Sequence, residues 1–403
     1  MTEEQRPFRR VLIVADETAE WLIAGLRQLD RVALAVDEFA IENNEKAPVH
    51  VCIFWRPTLD QSQRWVPDHE RLTRVAFATE LDGEPYDALL NTRLFIYRNG
   101  LRQFLEESSS QPENISREGE GEQVFWEKNY RQVAERPHFS AGAWEYVTDG
   151  EQIDGIERRF LRSSGKTQDG FVSRYLNRPI SRAVTRLLLR FPTTPNAWTW
   201  GIFAIPIIAT LVLLQGTYWS FFWGLLFYHV FSVLDGCDGE IARAKFLESE
   251  RGRRLDDLFD VLSNILLVIG LGSGLFRQSI LAGHPGWLYL LEGISAAVLI
   301  IVNEFYLPTP KGESHPEVGS LQGSLYPRHR QLVQNSGILV LGERFASWLI
   351  QITKRDVAVL FFVFLAAIGR PAFILHLLFV VAAASLVLWW RANLAKGEVV
   401  SDE

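Results

Sequence analysis

Runs of apolar residues divide the chain into two unlike halves. As far as about position 165 the apolar runs are short and set between polar stretches. From about Asn196 onward long apolar runs dominate. In the first half "RRVLIVAD", "RVALAVDEF" and "PVHVCIFWR" read as buried strands, and "TAEWLIAGLRQL" and "NGLRQFLEES" read as helices. Strands alternating with helices predict an α/β layer fold. The polar, glycine-containing stretch 108–122 reads as a loop.

The second half holds six apolar runs, at 198–215, 218–234, 258–276, 287–305, 357–368 and 373–390. Crossing the hydrocarbon of a bilayer takes about 20 residues, and most of these runs reach that with their flanks. Trp198, Trp219, Trp287, Trp389 and Trp390 sit at run ends, as interfacial aromatics do. A large buried helical core is the bland alternative. The fifth run is short: residues 356–369 cover about 21 Å as a helix, against about 30 Å of hydrocarbon. Its helix is therefore expected to begin earlier, near Trp348. That start brings Lys354, Arg355 and Asp356 to membrane depth, facing the bundle interior. The two cations could hold a phosphate on a substrate; a charged interfacial collar is the other reading.

Basic residues set the orientation. "SRYLNRPISRAVTRLLLR" precedes the first span, and the connections after spans two and four carry Arg243, Lys245, Arg251, Arg253, Arg254, Lys311, Arg328, Arg330 and Arg344. The opposite connections carry Arg277 and Arg370. The basic side is expected to be cytoplasmic, together with both termini. Just before the first span, Arg174, Arg178, Arg182, Arg186 and Arg190 recur every four residues. Val172, Leu176, Ile180, Val184 and Leu188 form a second stripe, offset by two. Such a helix, started or kinked at Pro179, is expected to lie in the membrane surface. A solvated connector is the alternative.

Composition narrows the partners. The 403 residues carry a net charge of -7, which does not suggest a nucleic-acid partner. Two cysteines, Cys52 and Cys237, lie in different regions and imply no disulfide framework, as fits a reducing compartment. The opening "MTEEQRPFRRVLIVADE" has an apolar run too short for the core of a secretory signal.

Four acids interrupt the second half, within "SVLDGCDGEIARAKFLESERGRRLDDLFDVLSNIL" at 232–266. Asp235 and Asp238 are three apart, Asp256 and Asp260 four apart, so on helices each pair shares a face. Gly239, Ala242 and Gly252 are small residues that allow close approach. Converging carboxylates repel unless a cation binds, and oxygen ligands favour a hard ion such as Mg²⁺ or Mn²⁺. Four solvated acids salt-bridged to the basic residues of the segment remain the alternative on spacing alone.

The segment reads Asp-x₂-Asp-Gly-x₂-Ala-Arg-x₈-Gly-x₃-Asp-x₃-Asp, and in this it resembles the complete signature of the CDP-alcohol phosphotransferase family. "TTPNAWT" enters the first span as in that family. The resemblance implies a six-helix membrane domain over 196–395. It also implies two Mg²⁺ or Mn²⁺ ions among the aspartates, a CDP-alcohol donor, an acceptor hydroxyl and release of CMP. Carried over by position, Asp235, Asp238, Asp256 and Asp260 look like metal ligands, with Asp260 also the general base. Gly239, Ala242, Arg243, Ser249 and Gly252, with Asn196 and Thr199, look like contacts to the CDP moiety. Relatives that use inositol phosphate carry a basic-acidic cluster like Lys354, Arg355 and Asp356. Cys237 reads as a packing residue.

In the front half "LLNTRLFIYRNGL" and "WEYVTDGEQIDGIERRFL" are similar to a nucleotidyltransferase domain fused ahead of di-inositol phosphate phosphate synthases. A nucleotide site would need a glycine-rich turn after the first strand, where this chain has "ADETAEWL". The expected organisation is a non-catalytic α/β domain at 1–165, a juxtamembrane amphipathic helix at 166–195 and the membrane domain at 196–395. A homodimer in contact with membrane lipid is expected. A cation-coupled transporter and an inactive membrane scaffold are the competing readings. The donor alcohol and the acceptor stay open, with inositol phosphate as one candidate acceptor.

Overall fold

In the computed structural model, which describes residues 9–43, 47–81, 83–108, 119–136, 139–163, 170–306 and 355–400, "RVLIVA" forms strand β1 (Arg10–Ala15) at the centre of a parallel sheet. Val11 to Ala15 are wholly buried; a strand covered on both faces reads as an unbroken apolar run. The hairpin strands β2 (Leu22–Ile23) and β3 (Leu26–Arg27) follow, then helix α1 (Gln28–Glu42), β4 (Val49–Trp55), β5 (Val75–Ala78) and β6 (Ala88–Asn91). The sheet order is β5-β4-β1-β6, and all three pairings are parallel. A second sheet, antiparallel, joins β7 (Leu94–Ile96), β8 (Phe139–Ser140) and β9 (Trp144–Tyr146) in the order β7-β9-β8. Helices α2 (Gly100–Ser108), α3 (Glu122–Ala134) and α4 (Ile153–Ser163) complete this α/β region.

Two expectations for this region are corrected. "RVALAVDEF" lies in helix α1, not in a strand. Leu29, Val32, Ala33, Val36 and Ala40 are all buried, and a short apolar run buried on most sides has no period that separates strand from helix. "TAEWLIAGLRQL" is not one helix. It makes a 3-10 turn (Glu17–Glu20) and the β2–β3 hairpin. The hairpin tip places Ala24 at φ 49° and Gly25 at φ 78°, the left-handed pair that a two-residue hairpin loop requires. Both cysteines are buried, and neither is in a disulfide.

The chain divides into two compact units. One comprises Met1–Ser164 with the short segments Arg186–Pro192 and Ala242–Leu247; the other holds Gly165–Thr185, Thr193–Ile241 and Glu248–Glu403. Within the first, Arg31 is wholly buried and donates from Nη2 to the carbonyls of Ile23 (2.9 Å) and Ala244 (3.0 Å).

The second unit is helical. Helix α5 (Arg178–Leu188) is preceded by a π-helical turn at Ser173–Asn177. Pro179, which has no backbone N–H to give, is the second residue of α5, after Arg178. The stripes of this helix sit opposite to the usual soluble arrangement. Asn177, Arg178, Ser181 and Thr185 are buried, whereas Phe171, Tyr175, Leu176, Ile180 and Leu187 are exposed.

Then come α6 (Pro195–Ile202), α7 (Ala204–Leu213), α8 (Tyr218–Ala244), α9 (Glu250–Leu281), α10 (Trp287–Ile301), α11 (Arg355–Ala367) and α12 (Pro371–Val400). Among the described residues, four stretches are long and apolar enough to cross a membrane: Pro195–Leu213, Tyr218–Ala244, Glu250–Leu281 and Trp287–Phe305. These match the first four expected spans. The apolar part of α12, Pro371–Val387, is shorter. The expected early start of the fifth span, with Lys354, lies outside the described residues. The helical core gathers Leu213 of α7, Phe221, Leu225 and Tyr228 of α8, Leu267 and Leu271 of α9, Ala296 of α10, Phe362 of α11 and Leu375 of α12. Gly272 of α9 lets α10 approach closely, since a Cβ there would meet the Tyr289 carbonyl at 2.7 Å and the Gly293 Cα at 3.0 Å.

Candidate active site

Asp235 and Asp238 sit near the carboxyl end of α8, and Asp256 and Asp260 near the amino end of α9. Local chemistry explains the break between these helices. Phe246 takes a left-handed conformation (φ 54°), and Leu247 N–H reaches back to the Ala242 carbonyl at 2.8 Å, ending α8. Ser249 then caps α9, its Oγ accepting from Gly252 N–H at 3.0 Å. Glu250 in the first turn suits the helix dipole and pairs with Arg253 and Arg254.

Three carboxylates converge. One ligand oxygen each from Asp235, Asp238 and Asp256 lie within 4.8 Å of one another. Oxygens bound to one Mg²⁺ at about 2.1 Å are at most about 4.2 Å apart, so a small side-chain adjustment brings these three onto a shared ion. The all-oxygen set suits a hard cation. Asp238 is buried, and its Oδ2 is 2.9 Å from Thr199 Oγ1 of α6. A charge-assisted hydrogen bond of this kind contributes about 1.5–3 kcal/mol. Asn196 lies against the cap of α9, with its Oδ1 3.1 Å from where a Cβ on Gly252 would be. Trp198 Nε1 donates to the Leu234 carbonyl at 3.0 Å, tying α6 to the turn of α8 that carries Asp235.

Asp260 stands beside this trio. Its Oδ2 receives Arg355 Nη1 of α11, which also lies 3.9 Å from Asp235 Oδ2. Asp260 Oδ1 is buried and has no hydrogen-bond partner among the described residues, so it can accept a proton or face a second ion. About a third of the Arg355 side chain is exposed. The structure therefore brings together Asn196, Thr199, Asp235, Asp238, Gly239, Ser249, Gly252, Asp256, Asp260 and Arg355. Ala242 and Arg243 continue α8 beyond Asp238 but fall in the other compact unit.

Sequence reasoning missed three features. Glu240, in a variable position of the signature, is buried and accepts from Arg178, Ser181 and Thr185. Thr199 touches a carboxylate of the acidic cluster. Asp356 accepts from Ser173 N–H at the start of the amphipathic helix. Polar residues at 178, 181 and 185 share one helical face, a signal that this face turns inward.

In the front region the carboxyl ends of β1 and β6 are joined by a buried network. Asp16 Oδ1 accepts from Thr18 N–H (2.9 Å) and Thr92 Oγ1 (3.0 Å), and Asp16 Oδ2 from Tyr130 OH (2.6 Å). The order β5-β4-β1-β6 makes this edge of β1 the topological switch point, where open α/β sheets bind ligands.

Comparison with known proteins adds a family. Residues 192–317 match the family model described as CDP-alcohol phosphatidyltransferase. A protein of Thermococcus kodakarensis named bifunctional IPC transferase and DIPP synthase is 41% identical over 118 residues, 29% of this chain and 26% of that protein. Proteins of the same name from Archaeoglobus fulgidus and Rubrobacter xylanophilus are 31% identical over 126 residues and 35% identical over 147 residues. Those matches cover 31% and 36% of this chain, and 25% and 33% of the two relatives. The similarity thus spans a third or less of the length of these curated relatives.

Proposed function

We propose that this chain, whose residues 192–317 match the model of a CDP-alcohol phosphatidyltransferase domain, is an integral-membrane, metal-dependent transferase. It moves a substituted phosphate from a CDP-alcohol to an acceptor hydroxyl and releases CMP. The observation that carries this reading is the convergence of Asp235, Asp238 and Asp256 inside that domain. Mg²⁺ or Mn²⁺, two ions in this reading, would neutralise charge on the diphosphate and on the phosphoryl group being transferred.

The chain's own residues have distinct tasks. Asp235, Asp238 and Asp256 hold the cation, and Thr199 orients Asp238 through its hydroxyl. Gly239, Ala242, Arg243, Ser249, Gly252 and Asn196 hold the CDP moiety. Asp260 takes the proton of the acceptor hydroxyl. The acceptor oxygen then bonds to the phosphorus that bears the alcohol, while the bond from that phosphorus to the bridging oxygen breaks and its electron pair leaves with CMP. Arg355, with Lys354 beside it in the chain, meets a phosphate on the acceptor, an inositol phosphate in this reading.

The site and both termini face the cytoplasm, the side on which the basic connections lie. The amphipathic helix rests in the membrane surface; its exposed Phe171, Tyr175, Leu176 and Ile180 support this. The front domain is non-catalytic, in keeping with the protein side chains that already occupy the Asp16 network, and the assembly is a homodimer. A transporter would place its ionisable groups near mid-span on broken helices, whereas these acids cluster at the ends of α8 and α9.

The test is a panel of CDP-alcohols offered to the purified full-length protein with Mg²⁺ and polyol-phosphate acceptors, scored for CMP by mass spectrometry. CMP released only when donor, acceptor and metal are all present supports the reading. Its absence across the panel argues for a scaffold.

A further inference from the structure

On the side of α8 turned away from the aspartates, Glu240 makes a set of buried polar contacts. Counted at 100° per residue, Glu240 points about 200° from Asp238 and about 140° from Asp235, away from the acidic cluster. Its side chain is 1% exposed. Oε1 accepts from Arg178 Nη1 at 3.1 Å and from Ser181 Oγ at 2.9 Å, and Oε2 accepts from Thr185 Oγ1 at 2.7 Å. Arg178 is also buried. One turn before Glu240 the same face presents Gly236, where a Cβ would stand 2.9 Å from Arg178 Nη1. On this side of α8 the contacts to α5 include the bonds to Glu240 and a contact of Cys237 Sγ with the Ser181 carbonyl at 3.5 Å, and together they oppose rotation of α8 about its axis.

We propose that Arg178 and Glu240 form a buried positioning pair that fixes the rotation of α8, and with it the aim of Asp235 and Asp238 at Asp256. The inference rests on the metal-binding reading of those aspartates. A buried carboxylate two residues from a cation ligand would otherwise sit uncompensated, and Arg178 cancels its charge from the side away from the metal. The pair thus does for the aspartates what partners behind metal ligands commonly do: it fixes ligand direction without touching the ion. The amphipathic helix has a second anchor at Asp356, adjacent in the chain to Arg355, so one helix braces both sides of the cluster.

The test is Mn²⁺ binding to the full-length protein in detergent, read by loss of the free-ion EPR signal, beside thermal unfolding of the same samples. Glu240→Gln keeps the side-chain shape and removes the charge that faces Arg178; it should weaken Mn²⁺ binding by about 10-fold or more. The double variant Arg178→Gln/Glu240→Gln should recover much of that loss, because both members of the charge pair are then neutral. Ser181→Ala and Thr185→Val each remove one hydrogen bond and should weaken binding by a few-fold. They carry the test if Glu240→Gln does not fold. Wild-type affinity in folded Glu240→Gln, or in both hydroxyl variants, overturns the proposal. No Mn²⁺ binding by the wild-type protein would instead refute the metal-site reading beneath it.

Discussion

Thr199 on α6 and Asp238 on α8 stand 2.9 Å apart, hydroxyl to carboxylate, and both are buried. The first apolar helix therefore orients one of the three converging acids. Thr199→Val keeps the shape and removes the donor. It should raise the divalent-metal concentration needed for half-maximal activity by about 10-fold, with a smaller effect on the rate at saturating metal. A metal titration of the variant checks this.

Asp260 lies outside the trio but beside it, with one buried carboxylate oxygen that no described group satisfies. As the base, it should be needed for turnover more than for donor binding. Asp260→Asn should lower the transfer rate by at least about 100-fold, while calorimetry still detects binding of the CDP-alcohol. Wild-type turnover by the variant would remove Asp260 from that role.

Arg355 bridges toward Asp260 and Asp235. Its partly exposed side chain would gain a further counter-charge from an anionic acceptor. Arg355→Ala should raise the acceptor KM by about 10-fold or more, about 1.4 kcal/mol, and change the donor KM by much less. Equal loss for both substrates would place Arg355 in general charge balance rather than in acceptor binding.

Asp37 in the front region offers a check on stability. Burial pushes its carboxyl above the ordinary range, against the opposing hydrogen bonds from the backbone N–H groups of Arg74 and Thr73. A raised folded pKa means that the ionised carboxylate costs stability above that pKa. The cost disappears as pH falls below the ordinary value of 3.8. Asp37→Asn should therefore raise Tm at pH 8, by on the order of 2 °C, with the gain shrinking as pH approaches 4. A Tm series against pH reads this directly.

The convergence of Asp235, Asp238 and Asp256 was legible in the sequence through the family signature that the segment resembles, whereas helical spacing alone left solvated, salt-bridged acids as an alternative. β1 and β4 were legible as unbroken apolar runs. Helix α1 was not, since its buried residues leave no amphipathic period to set it apart from a strand. The hairpin at Ala24–Gly25 was also hidden, because alanine gives no hint of positive φ. The partnership of Arg178 with Glu240 joins residues far apart in the chain. Single-helix periodicity can assign Arg178 to a stripe but cannot say that the stripe meets a buried carboxylate. The same limit hid Thr199 beside Asp238 and Asp356 at the start of the amphipathic helix.

The most direct test of the central claim is ³¹P NMR of a reaction containing the full-length protein, one CDP-alcohol that releases CMP in the donor panel, its acceptor and Mg²⁺. The diphosphate signals of the donor should decay while CMP and a new phosphodiester grow in equal amounts, and chelation of the metal should stop all three changes. Donor that stays intact, is hydrolysed without a phosphodiester appearing, or reacts unchanged after exhaustive chelation would contradict the assignment of this site as a metal-dependent CDP-alcohol transferase.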